Sequence, residues 1–232
     1  MHKTYEDFLL ELAKSESSGR QGVVNTKGFL GKYQMGEAAL IDCGYYKRDG
    51  KISNSFLDKF WTGKDDIHSK EDFLRSAQVQ ENAIRIYMTV QWGYVIFHNL
   101  DRYVGKSIKG ILITTSGLLA GSHLGGHTNL NEFIKQGTEF KDDYKTRISG
   151  YIQKFGGYDT PFKPRKKLTA VEKDKKGVVI SYQLDAKEWV SKETVVQMVR
   201  NLELDGVVVT NKKGTSYLRT PPDKNKGNNL AV

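Results

Sequence analysis

The residue best placed for chemistry is a carboxylate at the end of an amphipathic helix. Glu16 lies four positions after Leu12 and seven after Leu9. A helix starting at Thr4 therefore puts it on the apolar stripe, not on the solvated face. It also falls at the C-terminal end of that helix, where the dipole is negative. Partial burial and a negative neighbourhood both disfavour an ionised carboxylate, so the position predicts a raised pKa and a general acid working near neutral pH. The plain alternative is an ordinary surface glutamate in a last helical turn.

The residues after Glu16 bear on that choice. Glu16-Ser17-Ser18-Gly19 is followed by Val24-Asn25-Thr26-Lys27-Gly28-Phe29-Leu30 and then Gly31-Lys32-Tyr33-Gln34-Met35-Gly36. This arrangement resembles the lysozyme-like superfamily of bacterial lytic transglycosylases, goose-type lysozymes and resuscitation-promoting factors. Its members carry a Glu-Ser-Gly-like turn at a helix end, then a Gly-x-(Tyr/Leu/Met)-Gln segment after a short β element. The Asn25-Thr26 and Gly28 pattern is most similar to the resuscitation factors. A third block, Leu118-Leu119-Ala120-Gly121-Ser122-His123-Leu124-Gly125-Gly126, falls where transglycosylases have a helix ending Ala-Tyr-Asn-Ala-Gly. Gly126 matches the last glycine, whereas His123 stands in place of Tyr and Leu124 in place of Asn. The resemblance spans residues 5–155.

The resemblance implies a muramidase that cuts the β-1,4 bond between N-acetylmuramic acid and N-acetylglucosamine. Glu16 would protonate the leaving glycosidic oxygen as an oxocarbenium-like state develops. Inverting hydrolysis needs a second carboxylate, and Glu37 and Asp42 are nearest in sequence. Glu37 equally suits the first turn of a helix, where the dipole favours an acid. Without a second carboxylate, the substrate acetamido group would assist and the muramyl hydroxyl would close a 1,6-anhydro ring. Ser17, Tyr33, Gln34 and His123 are the expected substrate-binding residues. A tyrosine hydroxyl can hold the acid, a glutamine amide can bind sugar acetamido groups, and His123 can replace the family tyrosine. Packing and turn closure are the alternative roles for Tyr33 and Gln34, and a structural histidine for His123.

Several elements must position these residues. Thr4-x-x-Asp7 is a capping box, and Tyr5, Phe8, Leu9, Leu12 and Ala13 follow at helical spacing. Residues 22–35 read as a short hairpin or loop, and residues 36–43 as a short helix. A longer helix starts near Ser69, with Phe73, Leu74, Ala77, Ile84, Tyr87, Met88 and Val95 on its buried face. Residues 109–120 and 129–136 read as two further helices. Gly125 and Gly126 argue against a helix between His123 and His127, and Gly121-Ser122-His123 reads as a loop.

Composition shifts near residue 160. A Gly pair, Pro161, Pro164 and the run Arg165-Lys166-Lys167 mark a linker over residues 159–167. Beyond it, residues 168–172 and 178–183 alternate as strands, 192–202 reads as a helix capped by Ser191, and 207–210 and 216–219 form a hairpin around Asn211-Lys212-Lys213-Gly214. The predicted fold class is α+β: a mostly helical lysozyme-like domain over 1–158 with a small β element, and a small β-β-α-β-β domain over 168–221. Residues 222–232 read as a disordered tail.

The charge separates these halves. The net charge of the 232 residues is +9. Lys and Arg exceed Asp and Glu by 2 over residues 1–159 and by 7 over residues 160–232. The last third therefore suits an anionic partner or surface. Expected partners are peptidoglycan strands for the first domain and an anionic wall polymer, an immunity protein or a delivery machine for the second. Nucleic acid is not the expected partner, although Tyr182, Trp189 and Tyr217 lie among lysines. The rival reading is a catalytically silent lysozyme-like module that binds glycan or nucleic acid.

Other chemistries find no support. There is no HExxH motif, no cysteine cluster and no phosphate-binding GxxxxGK[ST] sequence, so neither a metal nor a cofactor is expected. Ser122 lacks a nucleophile-elbow context. Cys43, the single cysteine, reads as a small buried hydrophobe. No run of about 18 apolar residues suggests a membrane span. Residues 1–7 lack the apolar core of a signal peptide. The expectation is synthesis in the cytoplasm and action in the periplasm or cell wall, after release as a phage lysin or injection as an antibacterial effector.

Overall fold

The computed structural model describes residues 3–48, 50, 52–210, 214 and 216–219. The chain is mixed α+β and divides into two compact units, Met1–Lys163 and Pro164–Val232. The boundary falls inside the expected linker. Both ends of that stretch belong to structured units: Asp159 N–H donates to Lys3 O at 2.8 Å, and Lys166 N–H donates to Glu203 O at 2.8 Å.

The first unit starts with α1 (Tyr5–Ser17). Its N-terminus is closed by the expected box: Asp7 N–H donates to Thr4 Oγ1 at 3.2 Å and Thr4 N–H to Asp7 Oδ2 at 2.8 Å. Phe8, Leu9, Leu12 and Ala13 are buried, in one core with Leu30, Met35, Leu40 and Met88. The segment after α1 is held by two isolated antiparallel bridges, Val24 to Leu30 and Leu30 to Met35. The next helix is α2 (Glu37–Asp42).

The long helix expected from Ser69 is two helices, α3 (Lys70–Arg75) and α4 (Ala77–Phe97). Ser76 separates them with an extended backbone and caps α4 by accepting from Val79 N–H at 3.3 Å. Gln80 Nε2 donates to Phe73 O at 2.8 Å and so satisfies a carbonyl freed by the break. A serine inside an apolar periodic run gives little sign of such a division.

Residues 109–114 are not helical. β1 (Ser107–Ile108) and β2 (Ile111–Leu112) form a hairpin, with Lys109 and Gly110 at φ 49° and 79° in the turn. The helix begins later and runs further than expected, as α5 (Thr115–Gln136). Gly121-Ser122-His123 is thus helical, and His123 and His127 share one helix interrupted at Gly126 (φ 72°, ψ 166°).

Packing explains why a glycine-rich stretch is helical. Gly117, Gly121 and Gly125 recur every four residues and form one smooth face. A Cβ at Gly117 would come 2.7 Å from Ile152 O, and one at Gly121 would come 2.8 Å from Ile152 Cγ1. Ile152 belongs to α6 (Ile148–Lys154), so the glycines admit α6 at close range, and that packing outweighs their poor helix propensity.

The second unit holds β3 (Leu168–Lys173), β4 (Val179–Leu184), β5 (Glu188–Ser191), α7 (Lys192–Arg200), β6 (Val207–Thr210) and β7 (Ser216–Arg219). β3-β4-β5 is an antiparallel sheet and β6-β7 a hairpin. The order is therefore β-β-β-α-β-β, with one strand more than expected. β5 is only four residues, Glu188 to Ser191, too short for alternation to register. Val171, Tyr182, Leu184, Val195, Met198 and Leu204 form the core of this unit. Residues 211–213 of the expected turn and the expected tail at 222–232 lie outside the described residues. Among the described residues, no helix is long and apolar enough to cross a membrane.

Candidate active site

α1 is ended by Ser18, which takes a left-handed conformation (φ 57°) and donates its N–H to Lys14 O at 3.0 Å. The preceding residue, Ser17, is buried, and its hydroxyl donates to Lys32 O at 2.8 Å. That bond ties the helix end to the Gly-x-Tyr-Gln segment. Ser17 is thus a clamp beneath the cleft and does not line it.

Glu16 sits above this clamp on the wall of a cleft of about 300 Å³. Its side chain is 16% exposed. Tyr151, from α6, donates its hydroxyl to Glu16 Oε1 at 2.6 Å. His123, from α5, places Nε2 3.6 Å from the same oxygen. Among the described residues both contacts fall on Oε1. Burial, the neighbouring Glu16 charge and the hydrogen bond push the Tyr151 phenol well above its ordinary range, so it remains a neutral donor.

Gln34 also lines the cleft. It adopts φ 47°, and its amide Nε2 donates to Gly31 O at 2.8 Å, which spends one donor on holding its own turn. Gly31 itself has φ 73°, and a Cβ there would lie 2.3 Å from Gln80 Oε1. Only glycine fits both the conformation and the space.

Tyr33 does not reach this cleft. Its hydroxyl donates to Glu81 Oε2 at 2.8 Å in a separate groove shared with Lys32, Glu6 and Arg85. Residues 31–34 form a tight turn, closed by Gln34 N–H donating to Gly31 O at 3.1 Å, and its two central side chains, Lys32 and Tyr33, both reach Glu81 on the other groove.

Glu37 is absent from the cleft as well. It is fully buried, and its Oε2 accepts from Ser53 N–H and Asn54 N–H, both at 3.0 Å. Asn54 Oδ1 in turn accepts from Glu37 N–H at 2.7 Å. The side chain anchors residues 53–54 to the start of α2, and the expectation of a second carboxylate at Glu37 is corrected to this role. Asp42, the other nearby carboxylate, does not line the cleft.

The carboxylates facing Glu16 come instead from the turn between α5 and α6. Asp142 and Asp143 both line the cleft, with Phe140 and Tyr144. Asp142 Oδ1 accepts from Thr146 N–H at 2.7 Å, and the backbones of Lys141 and Arg147 form an isolated antiparallel bridge, so the turn is fixed internally. Asp143 is ion-paired with Lys27 at 3.0 Å, and Tyr144 Oη lies 2.9 Å from Thr26 Oγ1. These two contacts join the turn to the segment after α1. Sequence reasoning missed Tyr151, Asp142 and Asp143. The acidic-aromatic run Asp142-Asp143-Tyr144 between two helices was the signal available.

His123 is buried against Tyr87, with ring centroids 5.8 Å apart, and its Nδ1 has no hydrogen-bond partner among the described residues. Leu124 adds an apolar surface to the cleft. Among the described residues, no group of three or more His, Cys, Asp or Glu side chains could hold a metal ion.

The family described as "Protein of unknown function (DUF3892)" has a model that matches residues 167–231. The match coincides with the second unit. No curated protein and no solved structure matches the chain.

Proposed function

We propose that the first unit is a muramidase that cleaves the peptidoglycan glycan backbone, with Glu16 as the general acid. The observation that carries this reading is the setting of Glu16: one carboxylate oxygen is held by Tyr151 and flanked by His123, and the residue stands on the wall of an open cleft. The resemblance to the lysozyme-like superfamily supports it, because Glu16, Gln34 and His123, from the three resembling blocks, all line this cleft.

In this reading the Glu16 carboxyl transfers its proton to the leaving glycosidic oxygen as the bond to the muramyl C1 breaks. Tyr151 holds Oε1. Asp142, fixed by Thr146 on the facing turn, supplies a second carboxylate to take a proton from attacking water, which supports the hydrolytic branch. In the other branch the muramyl hydroxyl attacks, Glu16 takes its proton, and a 1,6-anhydro sugar forms. The basic excess of the second unit suits an anionic partner at the wall.

Digestion of purified sacculi, wild type beside Glu16→Gln, with mass spectrometry of the soluble fragments, tests the reading. A positioned acid contributes about 10²–10⁴-fold, so the variant should lose at least about 100-fold in fragment release. It should keep its fold, because the amide is nearly isosteric. Equal activity in both proteins, or none from several wall types, rejects the reading.

A further inference from the structure

A second cluster of rings lies further along the same pair of helices. His98, just past the end of α4, and His127, on α5, bring Nε2 and Nδ1 to 3.1 Å. Ring nitrogens donate and accept in the ring plane. With centroids 5.2 Å apart and planes within 20°, the two imidazoles therefore lie edge to edge as one nearly flat surface. Tyr94 stacks on His127 at 4.1 Å and backs this surface. Phe97 stands at 79° to His98, 5.0 Å away, and is 77% exposed.

The cluster continues the line of the Glu16 cleft. Tyr87 packs on His123, which lines the cleft, and Tyr94 packs on His127. Tyr87 and Tyr94 are seven residues apart on α4, two turns and about 10 Å along one face. His123 and His127 are their ring partners on α5, four residues apart across the interruption at Gly126. The cleft itself, at about 300 Å³, is at the small end for ligand sites and cannot enclose a polymer. A strand held at Glu16 must run over neighbouring surface.

We infer that the His98–His127 pair, walled by Phe97 and backed by Tyr94, is an outlying subsite that stacks a pyranose ring of the glycan strand held at Glu16. The inference rests on the glycan-cleaving reading above. The flat pair presents a ring-sized apolar face, and the exposed phenyl edge closes one side. Burial, and then the charges of His127 and Lys135, hold His98 below the ordinary histidine range.

The test is equilibrium binding by the full chain carrying Glu16→Gln, which holds glycan without cutting it. The probes are N-acetylglucosamine dimers and hexamers in calorimetry and purified sacculi in co-sedimentation. Phe97→Ala and His98→Ala should each weaken hexamer or sacculus binding about three- to tenfold and leave dimer binding unchanged. Phe97→Trp should restore it. Thermal melts confirm folding, which the exposure of Phe97 favours. Unchanged hexamer and sacculus binding in folded Phe97→Ala and His98→Ala overturns the subsite alone. Absence of all binding by the Glu16→Gln parent overturns the glycan reading, and the subsite with it.

Discussion

Tyr151 and Glu16 lie 135 residues apart in sequence and 2.6 Å apart in space, joined by a hydrogen bond from phenol to carboxylate. The bond crosses from the first helix of the unit to its last. It converts the close packing of α5 and α6 into the placement of one oxygen atom. Tyr151 is therefore a positioning residue as well as part of the core.

Tyr151→Phe keeps the ring packing and removes the donor. The phenol donates to a carboxyl oxygen in a largely buried setting, so loss of the bond should cost about 0.5–1.5 kcal/mol of stability. Turnover should fall while sacculus binding persists, because the carboxyl loses its orientation and the cleft keeps its shape. Urea denaturation and fragment release, measured on the same preparation, check both halves.

Glu37→Ala should behave in the opposite way. It strips the acceptor from two backbone N–H groups at a fully buried site, which should cost about 2–5 kcal/mol. Protein that remains folded should retain its rate per molecule. A large fall in rate without a loss of stability would return Glu37 to catalysis.

Asp142→Asn separates the two chemical outcomes. The amide oxygen can still accept from Thr146 N–H, so the turn survives. If water is activated there, release of reducing muramic ends should fall at least about 100-fold. Persistent 1,6-anhydro fragments in the variant would show that Asp142 takes no part.

Alkali should unfold the first unit through its buried phenols. Tyr5 is pushed up to about 12, chiefly by burial, and Tyr33, Tyr45 and Tyr151 are raised further for the same leading reason. A folded-state pKa above the unfolded value of about 10 favours the neutral phenol in the folded state. The stability is thus fully present below about pH 10 and is lost as pH rises toward the folded values, by up to about 1.4 kcal/mol per group per unit. Tyr5 also has a buried hydroxyl without a partner among the described residues. Tyr5→Phe should therefore be neutral or stabilising by up to about 1 kcal/mol at pH 7 and should flatten the alkaline loss. Melting curves from pH 8 to 11.5, with phenolate absorbance, check the sign.

Local signals carried α1 and its acid. The capping box, the apolar stripe and the Ser-Ser-Gly stop all act within one or two turns, and they fixed where Glu16 would stand. The Gly-x-Tyr-Gln segment was legible for a similar reason, since Gly31 and Gln34 set the turn through their own backbone. What could not be read was decided at long range. Tyr151 looks like one more apolar residue of α6 until its partner is known. Glu37 reads as an ordinary first-turn acid until residues 53–54 fold onto it. The glycines of α5 misled for a third reason: propensity marks them as breakers, whereas their spacing of four serves a neighbouring helix that the local window does not contain.

The interruption at Gly126 has a consequence that concerns handedness. A Cβ built there meets nothing within 4 Å, so room is not the constraint. The backbone at φ 72° and ψ 166° is instead a conformation that L-amino acids scarcely visit. L-Alanine would fight the bend that separates the His123 side of α5 from the His127 side. D-Alanine, for which these angles mirror an ordinary extended conformation, would fit and would stiffen the bend. What the chain requires at this position is the absence of a stereocentre of the usual hand.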